Sequence, residues 1–120
     1  MKYFFDTYAL VELTRENENY LKYKDEIMTT SILNIGELYL ACLRLDEEET
    51  GEKWCSRLQN KTLEINVETM KKAMKFKFEN KKKNFSFVDC VSYVVAKENG
   101  MVFLTGDKEF ENIDNVEFVK

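Results

Sequence analysis

Histidine and proline are both absent from this 120-residue chain, and each absence excludes something. Without histidine there is no Ser-His-Asp or Cys-His catalysis, no imidazole acid–base chemistry and none of the usual zinc ligation. A hydrolase made from these residues has to work with carboxylates and a hard cation such as Mg²⁺ or Mn²⁺. Without proline, element boundaries rest on glycine, caps and periodicity alone. Cysteine is scarce and odd in number: Cys42, Cys55 and Cys90 form no Cys-x-x-Cys pair, and they are expected as free core thiols in a reducing compartment. No apolar run approaches the ~18 residues needed to cross a bilayer. The strand-like Met-Lys-Tyr-Phe-Phe opening runs at once into Asp6 and has no signal-peptide pattern. A cytoplasmic protein is expected.

What is present is the composition of a folded protein: 44% hydrophobic, 13% aromatic and 33% charged residues, which argues against disorder. The length suits one domain over residues 1–120, with one core. Net charge is −4, but it is unevenly spread. Asp46 to Glu52 is an acidic block. Lys71, Lys72, Lys75, Lys77, Lys81, Lys82 and Lys83 form a basic run that suits a polyanion. The plainer reading of that run is a solvated helix face.

Periodicity predicts strands alternating with helices. Lys2–Phe5 reads as a strand, with Asp6-Thr7 capping a helix from Tyr8. A short helix follows over Tyr20–Lys24, then an extended piece at Ile27–Thr29. Ser31 starts a helix that runs to about Leu45. The acidic block with Gly51 is expected to stop that helix, Lys53–Gln59 to form another, and Thr62–Ile65 a strand. Val67 to about Asn80 keeps a helical period, Ser86 opens a further helix, and Gly100 suits a left-handed stop. Met101–Leu104 and Val116–Val119 complete the strands. The pattern predicts an α/β layer fold around a mainly parallel sheet.

Four acids stand in apolar settings. Asp6 ends the first strand, where ligands gather in open α/β sheets, and its position also suits a helix N-cap. Glu37 shares one side of its helix with Asn34 and Arg44, either as a solvated stripe or as the wall of a cleft with Arg44 near a phosphate. Asp89 follows Ser86 by three residues, a capping-box spacing, yet opens a nearly all-apolar helix whose Ser92 and Ala96 would leave room for an ion. Asp107 follows a second apolar strand, as a turn residue or at the same address as Asp6. Thr105 is placed to hydrogen-bond one of these carboxylates. Two carboxylates ~6 Å apart at an effective dielectric of ~20 repel by about 3 kcal/mol, so four converging acids call for a divalent cation or raised pKa values. One divalent-metal site formed by Asp6, Glu37, Asp89 and Asp107 is the reading that joins them.

These residues resemble the PIN domains, metal-dependent ribonucleases. The resemblance rests on FFDTYALVEL at the start, Ile35-Gly36-Glu37-Leu38, Phe87-Val88-Asp89-Cys90 and Leu104-Thr105-Gly106-Asp107-Lys108-Glu109-Phe110, and it covers almost the whole chain. The small size looks like the toxin half of a VapBC-type toxin–antitoxin pair. The resemblance implies a three-layer α/β/α fold and a Mg²⁺ or Mn²⁺ site at Asp6, Glu37, Asp89 and Asp107. It further implies RNA as substrate, a homodimer and a cognate antitoxin. Thr7 and Thr105 match hydroxyl positions beside the acids, while Lys108 and Glu109 depart from the polar residues often found after the last Asp. Arg44 and lysines 71, 72, 75, 81, 82 and 83 would hold the RNA backbone.

Other readings compete. A receiver-like phosphoacceptor wants an acidic pair after the first strand, but Thr7 follows Asp6, and the Thr62–Ile65 segment ends in Asn66. A haloacid-dehalogenase-type phosphatase wants Asp-x-Asp, but residue 8 is tyrosine. A catalytically inactive PIN-like module that binds RNA or protein fits the same residues.

Overall fold

Three short parallel strands carry the fold in the computed structural model, which describes all 120 residues from Met1 to Lys120. Strands β1 (Tyr3–Phe5), β2 (Val102–Thr105) and β3 (Val116–Phe118) lie side by side in that order. Their register aligns Phe5 with Leu104 and Thr105 with Phe118. Two single parallel bridges, Phe4 with Thr29 and Thr30 with Thr62, continue the pairing outward from β1.

Alternation along the strands divides the core. Phe5 and Leu104 face helices α1 (Thr7–Thr14), α2 (Ile32–Arg44) and α3 (Glu48–Leu58), in a cluster with Leu10, Leu38 and Leu58. Phe4 and Phe103 face the other way, onto α4 (Val67–Glu79) and α5 (Phe87–Glu98), with Tyr93, Val95 and Phe110. Side chains of period two on a strand must point to opposite faces, so a strand of consecutive apolar residues needs helices on both. The result is the mixed α/β, helix–sheet–helix layering expected from the sequence. No helix is long and apolar enough to cross a membrane.

Local chemistry sets the helix ends. Ser31, Asn66 and Ser86 each cap a helix with the side chain, and Gly100 takes a positive φ of 65° just past α5, where a Cβ would be strained.

Three expectations need correction. The acidic block does not separate α2 from a helix starting at Lys53, because α3 begins at Glu48. Asp46 turns the chain with a positive φ of 58°, and Glu48 and Glu49 fall in the first turn of α3, where negative charge meets the helix dipole favourably. Thr62–Ile65 is no ladder strand: it makes one bridge at Thr62, while Leu63 and Ile65 pack against the α4–α5 core. The short helix expected at Tyr20–Lys24 is a 3₁₀ helix over Glu18–Tyr23.

Candidate active site

The carboxyl ends of β1 and β2 meet at Asp6 and Thr105. Pairing of Phe5 with Leu104 places the next residues side by side, and the Asp6 amide donates to the Leu104 carbonyl at 3.1 Å. Asp6 stands at the N-cap position of α1 but makes no side-chain cap bond. Its carboxylate instead accepts from the Thr105 hydroxyl at 2.7 Å and, at a long 3.5 Å, from the Asn34 amide. Asp6 is only 3% exposed. Burial pushes its carboxyl up to about 7; the Thr105 hydrogen bond works against this, and the charges of Asp89 and Glu37 reinforce it.

Glu37 reaches the site from the second turn of α2. Its Oε1 accepts from the Thr7 hydroxyl at 2.6 Å, which ties α2 to the first residue of α1. Thr7 in turn accepts from Asn34 Nδ2 at 3.1 Å.

Asn34, placed beside Glu37 by the sequence but given no role there, is a central residue of the site. It is completely buried, and its Oδ1 accepts from Ser31 at 2.6 Å and from Ser92 at 3.1 Å. Two hydroxyl donors at the oxygen fix the amide orientation, so Nδ2 faces Thr7 and Asp6. Ser92 therefore meets the site through Asn34, joining α5 to α2. The signal was present: Asn34 lies three residues after the cap Ser31 and three before Glu37 on a helix with almost no other polar side chains.

Asp89 comes from the first turn of α5. The capping box is real: Ser86 N donates to Asp89 Oδ2 at 2.8 Å, and Asp89 N to Ser86 Oγ at 3.0 Å. The bond to Oδ2 leaves Oδ1 free. Burial raises the Asp89 carboxyl above its ordinary range; the Ser86 bonds oppose that, and the charges of Asp107 and Glu37 add to it. Asp107 follows β2 and caps the 3₁₀ turn Lys108–Phe110 by accepting from Glu109 N at 3.0 Å. Its own amide donates to Thr105 Oγ1 at 3.1 Å. Thr105 thus joins Asp6 to the Asp107 turn.

The four acids influence one another electrostatically, but no three of them, with or without cysteine, are gathered closely enough to form a finished metal cage. Asp89 and Asp107 each also serve as a cap, to α5 and to the Lys108–Phe110 turn. In chemistry the set suits a hard divalent cation: every donor is oxygen, and the innermost carboxylate is buried with its ionised form disfavoured.

The candidate nucleic-acid residues divide. Helix α4 runs antiparallel to α5, since Thr69 and Lys72 bond Glu98 whereas Lys77 Nζ donates to the Phe85 carbonyl at 2.6 Å. Lys72, paired with Glu98, and Lys71, paired with Glu68, lie at the α5 end remote from Asp89, and Lys75 follows one turn later. Lys81, Lys82 and Lys83 lie at the Asp89 end and are exposed. Arg44 is exposed at the end of α2, seven residues beyond Glu37, or about 10 Å along the axis.

The chain matches the PIN domain model over residues 3–116. No curated protein is significantly similar to it in sequence. Among solved structures it is similar to VapC20 of Mycobacterium tuberculosis, described as a sarcin-ricin-loop-cleaving toxin. The TM-score is 0.82 at 18% identity, covering 99% of this chain and 100% of that one. It is similar to a chain of a toxin–antitoxin complex from Klebsiella pneumoniae, with TM-score 0.79 at 16% identity over 97% and 96% of the two chains. VapBC2 of Rickettsia felis, bound to a DNA fragment from its promoter, gives a TM-score of 0.69 at 15% identity with both chains covered fully. At such identities the likeness is one of fold.

Proposed function

The chain belongs to the PIN domain family, and from that premise we propose that it is a Mg²⁺- or Mn²⁺-dependent endoribonuclease, the toxin of a cytoplasmic VapBC-type toxin–antitoxin pair. The observation that supports this most is Asp6: a buried carboxylate, held by Thr105 and Asn34, whose ionised form is opposed by burial and by neighbouring acids. Such an arrangement costs stability and makes physical sense where a cation offsets it.

Asp6, Glu37, Asp89 and Asp107 would hold the ion. Once bound, it would lower the pKa of a water and stabilise charge on the scissile phosphate and leaving oxygen. The rest falls to the chain's own groups. Thr105 and Asn34 fix Asp6, Ser86 fixes one oxygen of Asp89, and Thr7 occupies Glu37 Oε1. Glu37 Oε2, left free by Thr7, is then the oxygen we assign to the ion or to its water. Arg44 and, in the turn after α4, the unpaired Lys81, Lys82 and Lys83 hold phosphates of the RNA.

We also assign the chain a homodimer and a cognate antitoxin. Leu40, Leu43 and Leu45 are exposed at the end of α2 and offer apolar surface for such contacts; light scattering with and without a co-expressed partner tests both.

The test of activity is cleavage of structured and unstructured RNAs with Mg²⁺, Mn²⁺ or EDTA, beside Asp6→Asn. Metal-dependent cutting that the folded variant loses is expected. A second reading, a PIN-fold module that binds RNA or protein without cutting, draws support from the spread of the acids and from the capping duty of Asp89. A metal-induced rise in melting temperature with no cutting of any RNA selects it.

A further inference from the structure

Between the C-terminal end of α4 and the turn that follows lies a groove of about 360 Å³, lined by Lys77, Asn80, Lys81 and Lys83 with Phe78 and Phe85. Phe78 is 72% exposed, unusual for a phenylalanine on a packed helix. Lys81 Nζ lies over its ring at 5.1 Å, and neither Lys81, Lys82 nor Lys83 forms a salt bridge.

The groove adjoins the acids at two points. On one side Lys77 Nζ holds the carbonyl of Phe85, whose next residue, Ser86, binds Asp89. On the other, the amide of Asn84 donates to Glu109 at 2.7 Å, and the Glu109 amide donates to Asp107. The residues that follow the lysine turn are therefore linked to two of the four acids, through Ser86 to Asp89 and through Glu109 to Asp107. Phe87, 46% exposed, stands two residues before Asp89.

An exposed aromatic ring flanked by unpaired cations is the arrangement that holds single-stranded nucleic acid: the ring stacks a base and the cations hold the adjoining phosphates. We propose that this groove is a binding subsite for single-stranded RNA, with Phe78 stacking an unpaired base and Lys81 and Lys83 holding its flanking phosphates. The strand would leave the carboxylates past Phe87 and cross the Lys81–Asn84 turn to Phe78. This rests on RNA being the ligand of the chain. Its consequence is selectivity: the chain binds an unpaired segment or loop and disfavours a continuous duplex, whose bases are not free to stack on protein.

The experiment is binding of a fluorescently labelled oligouridylate, in EDTA so that nothing is cut, to wild type and to Phe78→Ala, Phe78→Leu and Phe78→Trp. Loss of one base stack should weaken binding roughly ten- to hundredfold in the alanine and leucine variants, while tryptophan keeps wild-type affinity. Lys81→Ala and Lys83→Ala should each lower the salt dependence of binding by about one phosphate contact. Duplex RNA of the same length should bind more weakly. No oligouridylate binding by the wild type, equal binding by Phe78→Ala, or full rescue by leucine overturns the subsite; rescue by leucine would point to an apolar protein segment as the occupant. Cleavage of the same oligonucleotide with Mn²⁺ is scored separately. Phe78-dependent binding without cutting by any form keeps the subsite and sinks the nuclease; cutting with Phe78-independent binding does the reverse.

Discussion

Thr105 donates its hydroxyl to Asp6 at 2.7 Å, and the same oxygen accepts the amide of Asp107 at 3.1 Å. One side chain at the end of β2 therefore orients a carboxylate on β1 and the turn carrying another. Thr105→Val keeps the shape and removes both bonds. It should cost about 2 kcal/mol at pH 8, the scale of a hydrogen bond to a charged group, measured by urea unfolding in EDTA. A change within a few tenths would mean that Thr105 is only filling space.

Asp6 makes stability depend on pH in an unusual direction. Its carboxyl titrates near 3.8 when free and at about 7 in the folded chain. Between those values the folded state holds a proton that the unfolded chain has released, so stability falls as pH rises. The full difference corresponds to about 4 kcal/mol, and burial of Asp89 acts in the same sense. Glu98 and Asp114, held low by Lys72 and Lys97, act oppositely, but only as pH falls toward 4 and below. In EDTA, the chain should resist urea better at pH 5 than at pH 8, and Asp6→Asn should flatten that difference. Mn²⁺ should restore stability at pH 8 in the wild type and not in the variant.

Asn34 is the buried junction of the site. Asn34→Ala leaves the hydroxyls of Ser31 and Ser92 without their acceptor and frees Thr7 from its donor. At about 1–3 kcal/mol for each stranded buried group, a loss of about 3 kcal/mol is expected in thermal or urea melts. Should Asn34→Ala melt like the wild type, water serves these hydroxyls equally well and the junction is not structural.

Strands β1 and β2 were legible because a short apolar run that stops at an acid marks both the strand and its carboxyl end. Phe5-Asp6 and Leu104-Thr105-Gly106-Asp107 carry that pattern within a few residues. The helical spacing put Asn34 on the Glu37 side, but its role as a junction was not legible, since it comes from Ser92, 58 residues away, and no local pattern encodes such a contact. Thr62–Ile65 alternates like a strand but lies beyond β1, with only Thr30 to pair with; available partners, not propensity, decided it. The acidic block misled for the opposite reason. Glycine and clustered charge suggest a break, yet Gly51 is buried where a Cβ would come within 3.1 Å of both Cys42 and Tyr39, so glycine is there for close helix packing.

Gly106 carries a similar constraint beside the site. A Cβ there would sit 2.3 Å from the Val119 carbonyl and 2.4 Å from the Tyr8 ring. Backbone cannot yield as a flexible side chain does, so Gly106→Ala should lose about 2–3 kcal/mol and displace Asp107. A melting temperature within a degree or two of wild type would show that the C-terminal strand gives way freely.

Asp89 has two duties that a pair of variants separates. Ser86→Ala removes the cap hydroxyl but leaves the carboxylate, and should cost about 1 kcal/mol while preserving the rise in melting temperature with Mn²⁺. Asp89→Asn keeps an oxygen able to accept from Ser86 N but removes a charge that burial and Asp107 disfavour. It should match or exceed wild-type stability in EDTA and lose the response to Mn²⁺. If Asp89→Asn instead costs as much as Ser86→Ala and still responds to the metal, Asp89 is a helix cap and the ion is held by the other three acids. Neutralising a carboxylate weakens a structural cap and relieves a crowded metal site, so the sign of its effect in EDTA identifies its role before any RNA is cut.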